Sequence, residues 1–356
     1  MKKTLALFLA LMLAMAAGAA FAEGTQNAEK PYIAMVAKGF QLAYWQIVKA
    51  GAEKAAQDLG VDMHFDGPSS ETDIDEQVNK LKDEMAKNPA AIGLAALSTD
   101  AVKSELQECL QKKIPVIGFD SGVPDAPEGS IFATVSTDNA KAAALAADKM
   151  FENPKFKAAL EAATPENPMR IGVLTQDAVS TSTVMRTTGF VDEMTKLCGE
   201  TKPVSVEGHD RWKKPVDKPA VIIYVQIPAT TQAVDVSNAA QAVLNMDNLK
   251  AMFLSNEGAV TGFLAATADG SELAPGGRFE NLLVVGFDAG STQKNAIRKG
   301  WFAGAITQDP YTIGYKTVEL AAKAAKGEKV EDVEVPAKWY DASNMDNDDI
   351  KALLYD

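Results

Sequence analysis

The chain has 356 residues, of which 47% are hydrophobic and 23% are charged, and its formal net charge is −13. A chain of this length exceeds what one hydrophobic core usually supports, so two domains are expected. The acidic balance excludes nucleic acid as a partner, because binding to phosphates needs a positive surface.

The N-terminus has the pattern of a secretory signal. Lys2 and Lys3 provide a positive start, an apolar run covers residues 5–17, and Ala20-Phe21-Ala22 is a small-x-small cleavage site. Cleavage after Ala22 removes these two lysines and no acid, which takes the formal charge from −13 to −15. No cysteine near the cleavage site offers a lipid attachment point, and no later segment is apolar for the ~20 residues of a membrane span. We therefore expect residues 1–22 to be a signal peptide and the protein to be free in a Gram-negative periplasm.

Strand and helix patterns alternate along the next part of the chain. Strands are predicted at 32–37, 61–65, 91–95 and 115–119, and helices at 44–59, 73–85 and 99–112. Thr99 or Asp100 is the expected cap of the third helix. Alternation at this spacing is typical of a parallel sheet covered by helices on both faces.

A second alternating series follows a strand at 131–135 and a helix at 139–150. Its strands are predicted at 170–174, 221–225, 252–255 and 282–287, and its helices at 182–197, 234–244 and 260–267. The fold class is therefore α/β, with two doubly wound, Rossmann-like lobes. Two segments rich in proline, lysine and acids, 151–168 and 207–219, fit neither period and are interpreted as surface insertions.

One heptapeptide occurs almost unchanged in both series. Val116-Ile-Gly-Phe-Asp-Ser-Gly122 and Val284-Val-Gly-Phe-Asp-Ala-Gly290 are each an apolar strand that ends in Phe-Asp before a glycine-containing loop. Ligands of open α/β sheets bind at the carboxyl ends of strands, where Asp120 and Asp288 stand. A carboxylate accepts strong hydrogen bonds from ligand hydroxyls. The structural alternative is that each aspartate only caps the turn that follows it.

Cysteine and histidine are scarce. Cys109 and Cys198 fall in different lobes, and a disulfide needs Cα atoms within about 7 Å, so two buried free thiols are expected. His64 lies in a predicted strand, and with His209 it forms no recognisable zinc motif. We expect no metal and no cofactor.

An acidic cluster near the C-terminus has a partial likeness to a calcium loop. Asn344, Asp346 and Asp348 alternate as oxygen ligands would, but Asp349 replaces the required glycine and Tyr355 the required glutamate. The cluster is interpreted as a helix cap.

Several segments resemble the ribose-binding family of periplasmic sugar-binding proteins, over nearly the whole chain that follows the signal. The matching segments are Lys38-Gly-Phe-Gln, Tyr44-Trp45, Gly51-Ala-Glu-Lys-Ala, Thr137-Asp-Asn139, Arg186-Thr-Thr-Gly-Phe190, Leu254-Ser-Asn256, Val285-Gly-Phe-Asp288 and Ala305-Ile-Thr-Gln-Asp-Pro310. The resemblance implies the type I periplasmic-binding-protein fold and capture of a monosaccharide or sugar-like polyol between two lobes. It also implies a monomer without enzymatic activity that delivers its ligand to a membrane ABC permease, and in some cases to a chemoreceptor.

The resemblance also implies which residues bind the ligand. Polar side chains that would hydrogen-bond a polyol are Asp120, Arg186, Asn256, Asp288 and Gln308. Tyr44 and Trp45 would pack on its apolar faces, and Lys38, Thr137 and Thr231 complete the expected set. The alternatives for Tyr44 and Trp45 are ordinary core packing, and for Arg186 an ion pair.

Departures from the family pattern widen the choice of ligand. Leu42 stands where ribose binders have an asparagine, Ser121 where they have an arginine, and Thr231 where they have an aromatic residue. Ribose itself is therefore in doubt. A lysine at position 38 is similar to the one in relatives that bind a furanosyl signal, and nucleosides form a further alternative.

Two other classes of protein remain as alternatives. A glycosidase also uses two carboxylates, but no acid here has a reason, visible in the sequence, for a raised pKa. A repressor core would need an N-terminal helix-turn-helix.

The resemblance implies three crossings between the lobes, near 137–139, 308–310 and 335–339. The expected N-terminal lobe is 31–137 plus 309–335, and the expected C-terminal lobe is 138–308 plus 336–356. Three parallel crossings form a hinge, so ligand should close the cleft.

Overall fold

The computed structural model describes residues 30–40 and 42–355. The expected signal peptide, 1–22, lies outside the described residues. No helix within the described part is long and apolar enough to cross a membrane.

The strands form two sheets. The strands are β1 Tyr32–Val36, β2 Asp62–Asp66, β3 Ala91–Leu94, β4 Val116–Phe119, β5 Ile131–Ser136, β6 Met169–Leu174, β7 Val204–Glu207, β8 Val221–Gln226, β9 Leu249–Leu254, β10 Leu283–Phe287, β11 Gly304–Thr307, β12 Val333–Glu334 and β13 Lys338–Tyr340. The first sheet has the order β12-β5-β4-β3-β1-β2, and the second has the order β13-β11-β10-β9-β6-β8-β7. All pairings are parallel except that of β11 with β13.

The helices cover both faces of each sheet, which gives the predicted α/β fold with two lobes. The helices are α1 Ala43–Leu59, α2 Ile74–Ala86, α3 Lys103–Lys112, α4 Asn139–Glu152, α5 Pro154–Ala162, α6 Thr181–Gly199, α7 Ala233–Leu244, α8 Glu257–Ala266, α9 Ser291–Arg298, α10 Pro310–Ala325 and α11 Asp348–Lys351. The inner strands of both sheets are fully buried, as expected for parallel strands between two helical layers.

The chain returns to the first lobe after β11. Helix α10 packs against α1 and against strands of the first sheet. The two helices approach closely because glycines face backbone: a Cβ on Gly51 would lie 2.0 Å from the Tyr311 carbonyl oxygen, and one on Gly314 would lie 1.9 Å from that of Val48. The chain then adds β12 to the first sheet and β13 to the second.

The two segments interpreted as insertions are built into the second lobe, so that interpretation was wrong. Segment 151–168 contains α5, whose Phe156 and Leu160 are buried in the core of this lobe. In segment 207–219, Trp212 is buried and donates to Thr188 Oγ1 at 2.9 Å. A few apolar anchors among many polar residues do not produce a clear helical or strand period.

Two expected helix caps were also wrong. Helix α3 begins later than predicted, after Val102, and the carboxylate of Asp100 pairs instead with Lys103 at 2.7 Å. Near the C-terminus, Asn347 occupies the cap position of α11 without a side-chain hydrogen bond. Asn344 Oδ1 instead accepts from the Asp341 N–H at 2.9 Å.

Both cysteines are free and buried, as predicted. Cys109 lies on α3 in the first lobe, and Cys198 lies on α6 in the second. Burial raises the pKa of Cys109 to about 11 and that of Cys198 to about 12, so neither thiol is reactive at neutral pH.

Candidate functional site

The two repeated aspartates stand at the carboxyl ends of strands in both lobes. Asp120 follows β4 and Asp288 follows β10. Both have left-handed backbone, with φ of 53° and 72°. This conformation is uncommon for a residue with a Cβ, and it is concentrated at functional sites. The heptapeptide therefore builds the same turn in each lobe.

A narrow pocket, largely filled by the side chains around it, is lined by residues of both lobes. The lining residues are Lys38, Leu42, Tyr44, Trp45, Glu71, Asp120, Ser182, Thr183, Arg186, Asn256, Asp288 and Gln308. Every residue expected to bind ligand is among them except Thr137 and Thr231. The fold thus brings together side chains that are far apart in the sequence.

Lys38 crosses from the first lobe to the second. Its Nζ lies 2.9 Å from Asp120 Oδ2, and it donates to the hydroxyls of Ser121 and Ser182 at 3.1 Å each. Tyr44 donates its hydroxyl to the other carboxylate oxygen of Asp120 at 2.7 Å. Because Ser182 lies at the start of α6, this contact bridges the lobes.

Burial acts against both charges of the Lys38–Asp120 pair, but the surrounding charges and hydrogen bonds together outweigh it. The pKa of Lys38 is raised by the Asp120 carboxylate despite its burial. The pKa of Asp120 is lowered by Lys38 and Arg186, again despite burial. Burial and then Asp120 raise the pKa of Tyr44 well above its usual value. Asp120 is therefore ionised at neutral pH and is not a proton donor.

Arg186 on α6 is held from several sides. Its Nε donates to Asn139 Oδ1 at 2.7 Å, and one terminal nitrogen donates to the Ser255 carbonyl at 3.1 Å. The same nitrogen lies 3.6 Å from Asp288 Oδ2, and the guanidinium carbon lies 4.0 Å from the centre of the Phe287 ring. These contacts fix the plane of a side chain that has several donors.

Asp288 receives hydrogen bonds from two further elements. Gln308, after β11, donates to Asp288 Oδ1 at 2.8 Å. The backbone N–H of Glu257, at the start of α8, donates to Oδ2 at 2.9 Å. Asp288 thus joins β10, β11 and α8 and does not simply cap its own turn.

A chain of hydrogen bonds links the lobes on the other side of the cavity. Trp45 donates its indole N–H to Glu71, and Gln176 Nε2 donates to Glu71 Oε2 at 2.7 Å. Asn256 donates to Gln176, while its own Oδ1 accepts from the Ala259 N–H at 3.0 Å and so caps α8. Asn256 therefore has a structural role in addition to its position on the cavity wall.

Thr137 and Thr231 lie outside this cavity. Thr231 Oγ1 lies 3.2 Å from Ser70 Oγ, which places it in a contact between the lobes. Thr137 is buried beside the first chain crossing, and its hydroxyl has no hydrogen-bond partner within the described parts of the chain. Their expected contact with ligand therefore has no support from their position.

A separate cluster on the first lobe has the composition of a metal site. Ligand atoms of His64, Asp66 and Glu84 lie within 4.8 Å of one another. However, Glu84 already pairs with His64 at 2.7 Å and with Lys87 at 2.8 Å, and Asp66 pairs with Lys80 at 3.0 Å. Lysine ammonium groups hold the carboxylates that a cation would need.

The geometry agrees with a known family. Residues 33–329 match the family model described as a periplasmic binding protein domain. The chain belongs to this family.

Relatives of this binding protein cover almost its whole length. A Brachyspira murdochii protein described as an ABC transporter, LacI family transcriptional regulator is 38% identical, with a TM-score of 0.76, and the match covers 92% of this chain and 99% of that one. A carbohydrate transporter solute-binding protein of Agrobacterium radiobacter, solved with D-arabinose, is 28% identical, with a TM-score of 0.73 and coverage of 92% and 99%. The ribose import binding protein of Haemophilus influenzae is 24% identical, with coverage of 93% and 96%.

Family membership decides two broader expectations. The protein is a binding protein and not an enzyme, as predicted from the resemblance. Family members act outside the cytoplasm, which agrees with an exported chain.

Sequence reasoning missed several residues of the binding protein's site. Glu71 follows β2, and Ser182 and Thr183 begin α6, so all three lie at the edges where ligands bind. Glu257, behind the wall of the pocket, was also missed: burial and the nearby Asp288 raise its pKa to about 7, and the sequence showed no reason for a raised pKa in any acid. This environment comes from tertiary packing, so no local sequence pattern predicts it.

Proposed function

We propose that this protein is the extracytoplasmic solute-binding component of an ABC importer and that it captures a monosaccharide or sugar-like polyol. The observation that carries the proposal is the pocket between the lobes, where ionised, amide and aromatic groups from both lobes converge. Planar groups with several donors and acceptors suit vicinal hydroxyls, and aromatic faces suit the C–H surface of a sugar. The sugars bound by relatives support the same class of ligand.

In the proposed complex, the ligand replaces contacts that the site residues now make with one another. Asp120 and Asp288 accept ligand hydroxyls, while Arg186, Asn256 and Gln308 donate to ligand oxygens. Tyr44 and Trp45 contact the apolar side of the ring. Lys38 offers an ammonium group beside Asp120. Thr137 and Thr231 are weaker candidates for ligand contact, because they lie outside the cavity.

We further propose the lobe boundaries and the partners. The N-terminal lobe is 31–137 plus 309–335, and the C-terminal lobe is 138–308 plus 336–356. The monomeric protein is exported to the periplasm, cleaved after Ala22, and delivers its ligand to a membrane permease, with a chemoreceptor as a second recipient. Light scattering of the purified protein tests the monomer, and mass spectrometry of its N-terminus tests the cleavage.

A furanosyl signal or a nucleoside is the second candidate ligand, and Lys38 favours a furanosyl compound that carries a negative charge. The Lys38 ammonium lies in the cavity wall, whereas a neutral sugar needs no cation at this position.

A thermal-shift screen of pentoses, hexoses, polyols, nucleosides and a furanosyl borate diester separates these candidates. A ligand that binds only the folded protein raises its melting temperature by an amount that grows with affinity. We expect a shift with at least one monosaccharide. A shift only with nucleosides or the furanosyl compound would replace the first candidate by the second, and no shift with any compound would refute both.

A further inference from the structure

Glu257 lies where the second lobe meets the first, beside the cavity but behind its wall. It is the first residue of α8, directly after Asn256. The backbone N–H groups of Ala43 and Tyr44, at the start of α1 in the first lobe, favour its ionised form. Helix α1 has no side-chain cap and no acidic residue in its first turn. The carboxylate therefore reaches the end of a helix in the opposite lobe.

The surroundings of Glu257 destabilise a negative charge on its carboxylate. Its Oε2 is buried without a hydrogen-bond partner among the residues that the structure describes. The carboxylate of Asp288 lies close enough to accept from the Glu257 N–H at 2.9 Å, and Glu71 in the first lobe adds a second negative field. Tyr340 and Tyr355 also face it and sense its charge, and both remain neutral. Gly290 closes the remaining side, because a Cβ there would lie 2.6 Å from Glu257 Oε1.

We propose that Glu257 takes up a proton when the two lobes close, so that closure of the cleft depends on pH. This inference rests on the proposed closure of the lobes. When the lobes separate, water reaches the Glu257 carboxylate and the distance to Glu71 increases. These two changes lower its pKa by more than the loss of the Ala43 and Tyr44 N–H groups raises it, because burial is the largest cause of the raised pKa. Glu257 then ionises more readily, although the Asp288 carboxylate of its own lobe stays beside it and keeps its pKa above the ordinary value.

The sign of the effect follows from proton linkage. The pKa of Glu257 is about 7 in this structure, against an ordinary value of 4.5. The closed form therefore binds more protons than the open form at pH values between these two. Protonation of Glu257 contributes its whole favourable free energy to closure below the pKa of the open form. This contribution is lost as the pH rises through about 7, and above that pH closure no longer depends on Glu257. The equilibrium constant for closure should fall on the order of 10-fold between pH 5.0 and 7.5, because Asp288 keeps the pKa of the open form above 4.5.

The test uses the ligand-free protein and the substitution Glu257→Gln, which keeps the shape and removes the titration. Small-angle X-ray scattering at pH 5.0 and 7.5 measures the radius of gyration. We expect the unsubstituted protein to expand at the higher pH and E257Q to stay compact at both. Glu161→Gln, an exposed glutamate on α5 in the same lobe, is the matched control and should expand as the unsubstituted protein does.

Carbon-13 NMR of glutamate-labelled protein gives a second readout. One carboxyl should titrate near neutral pH and be missing in E257Q. A radius of gyration that changes equally in the protein and in E257Q, or in neither, would overturn the proposal. So would the absence of a glutamate that titrates near neutral pH. Because neither measurement needs a ligand, a failed sugar screen would overturn the proposed ligand class and leave this result readable.

Discussion

Asp120 and Asp288 occupy equivalent turns in the two lobes, but their partners differ. Asp120 pairs with Lys38 and Tyr44, whereas Asp288 accepts from Gln308 and from the Glu257 backbone. All these contacts lie in a site that is largely closed to water. A ligand hydroxyl can therefore join or replace the groups that now donate to each aspartate. Loss of the carboxylate would leave those donors without a partner.

Replacing either aspartate should weaken ligand binding without unfolding the protein. For Asp120→Ala or Asp288→Ala we expect a loss of ~1.5–3 kcal/mol of binding free energy, the usual effect of losing a charged hydrogen-bond partner. Isothermal titration calorimetry measures it, and circular dichroism checks the fold. Asp100→Ala, at an exposed aspartate of the first lobe, should bind normally. Unchanged affinity in both site variants would refute the assignment of these residues.

The Lys38–Asp120 pair should matter for stability as well. Lys38→Met leaves the Asp120 carboxylate buried without its main counter-charge, and breaking a buried pair in this way costs about 3–5 kcal/mol. Addition of Asp120→Asn removes the charge and should restore most of the loss. Urea unfolding of the single and double variants measures this, with Lys329→Met at an exposed lysine as control. A double variant less stable than Lys38→Met would contradict the account.

The helices and strands position the residues of the site, and most of these elements were predicted from the sequence. Apolar runs such as Ala91–Leu94 and Val116–Phe119 are strands because parallel strands between two helical layers are buried on both faces. The segments that were missed depend on a few anchors, such as Phe156 in α5, and the short strand β7 lies next to a polar loop. The cap of α3 was misjudged because a turn at 99–102 precedes the helix and Val102, which has no polar side chain, occupies the cap position.

Close helix packing gives a prediction at this scale. Gly314→Ala should destabilise the protein by about 1–3 kcal/mol or more, because its Cβ would lie 1.9 Å from the Val48 carbonyl oxygen and α10 must move away from α1. Chemical unfolding measures the free-energy change. Gly199→Ala is the control, since nothing lies within 4 Å of the added Cβ. Equal stability of the two variants would show that the helices are not held this closely.

At the scale of the whole molecule, the sequence predicted much of the wall of the site but not the contacts that form between the lobes. Lys38 and Gln308 follow strands and Arg186 lies in the second turn of α6, each within a motif that matches the family, so the resemblance located them. Glu71 and Gln176 meet only when the two lobes come together, and no local sequence pattern contains that distance. The same holds for Glu257.

Both lobes contribute to the cavity, and this defines the central claim that the protein works as a two-lobe clamp. The elements beside residues 137–139, 308–310 and 335–339 pack on different sheets, so three chain segments connect the lobes. A ligand that touches both lobes binds the closed form better, and only such a difference shifts the equilibrium. The most direct test is small-angle X-ray scattering at pH 7.5 with and without the sugar that gives the largest thermal shift. The account predicts a smaller radius of gyration with the sugar, and an unchanged radius at saturating sugar would contradict it.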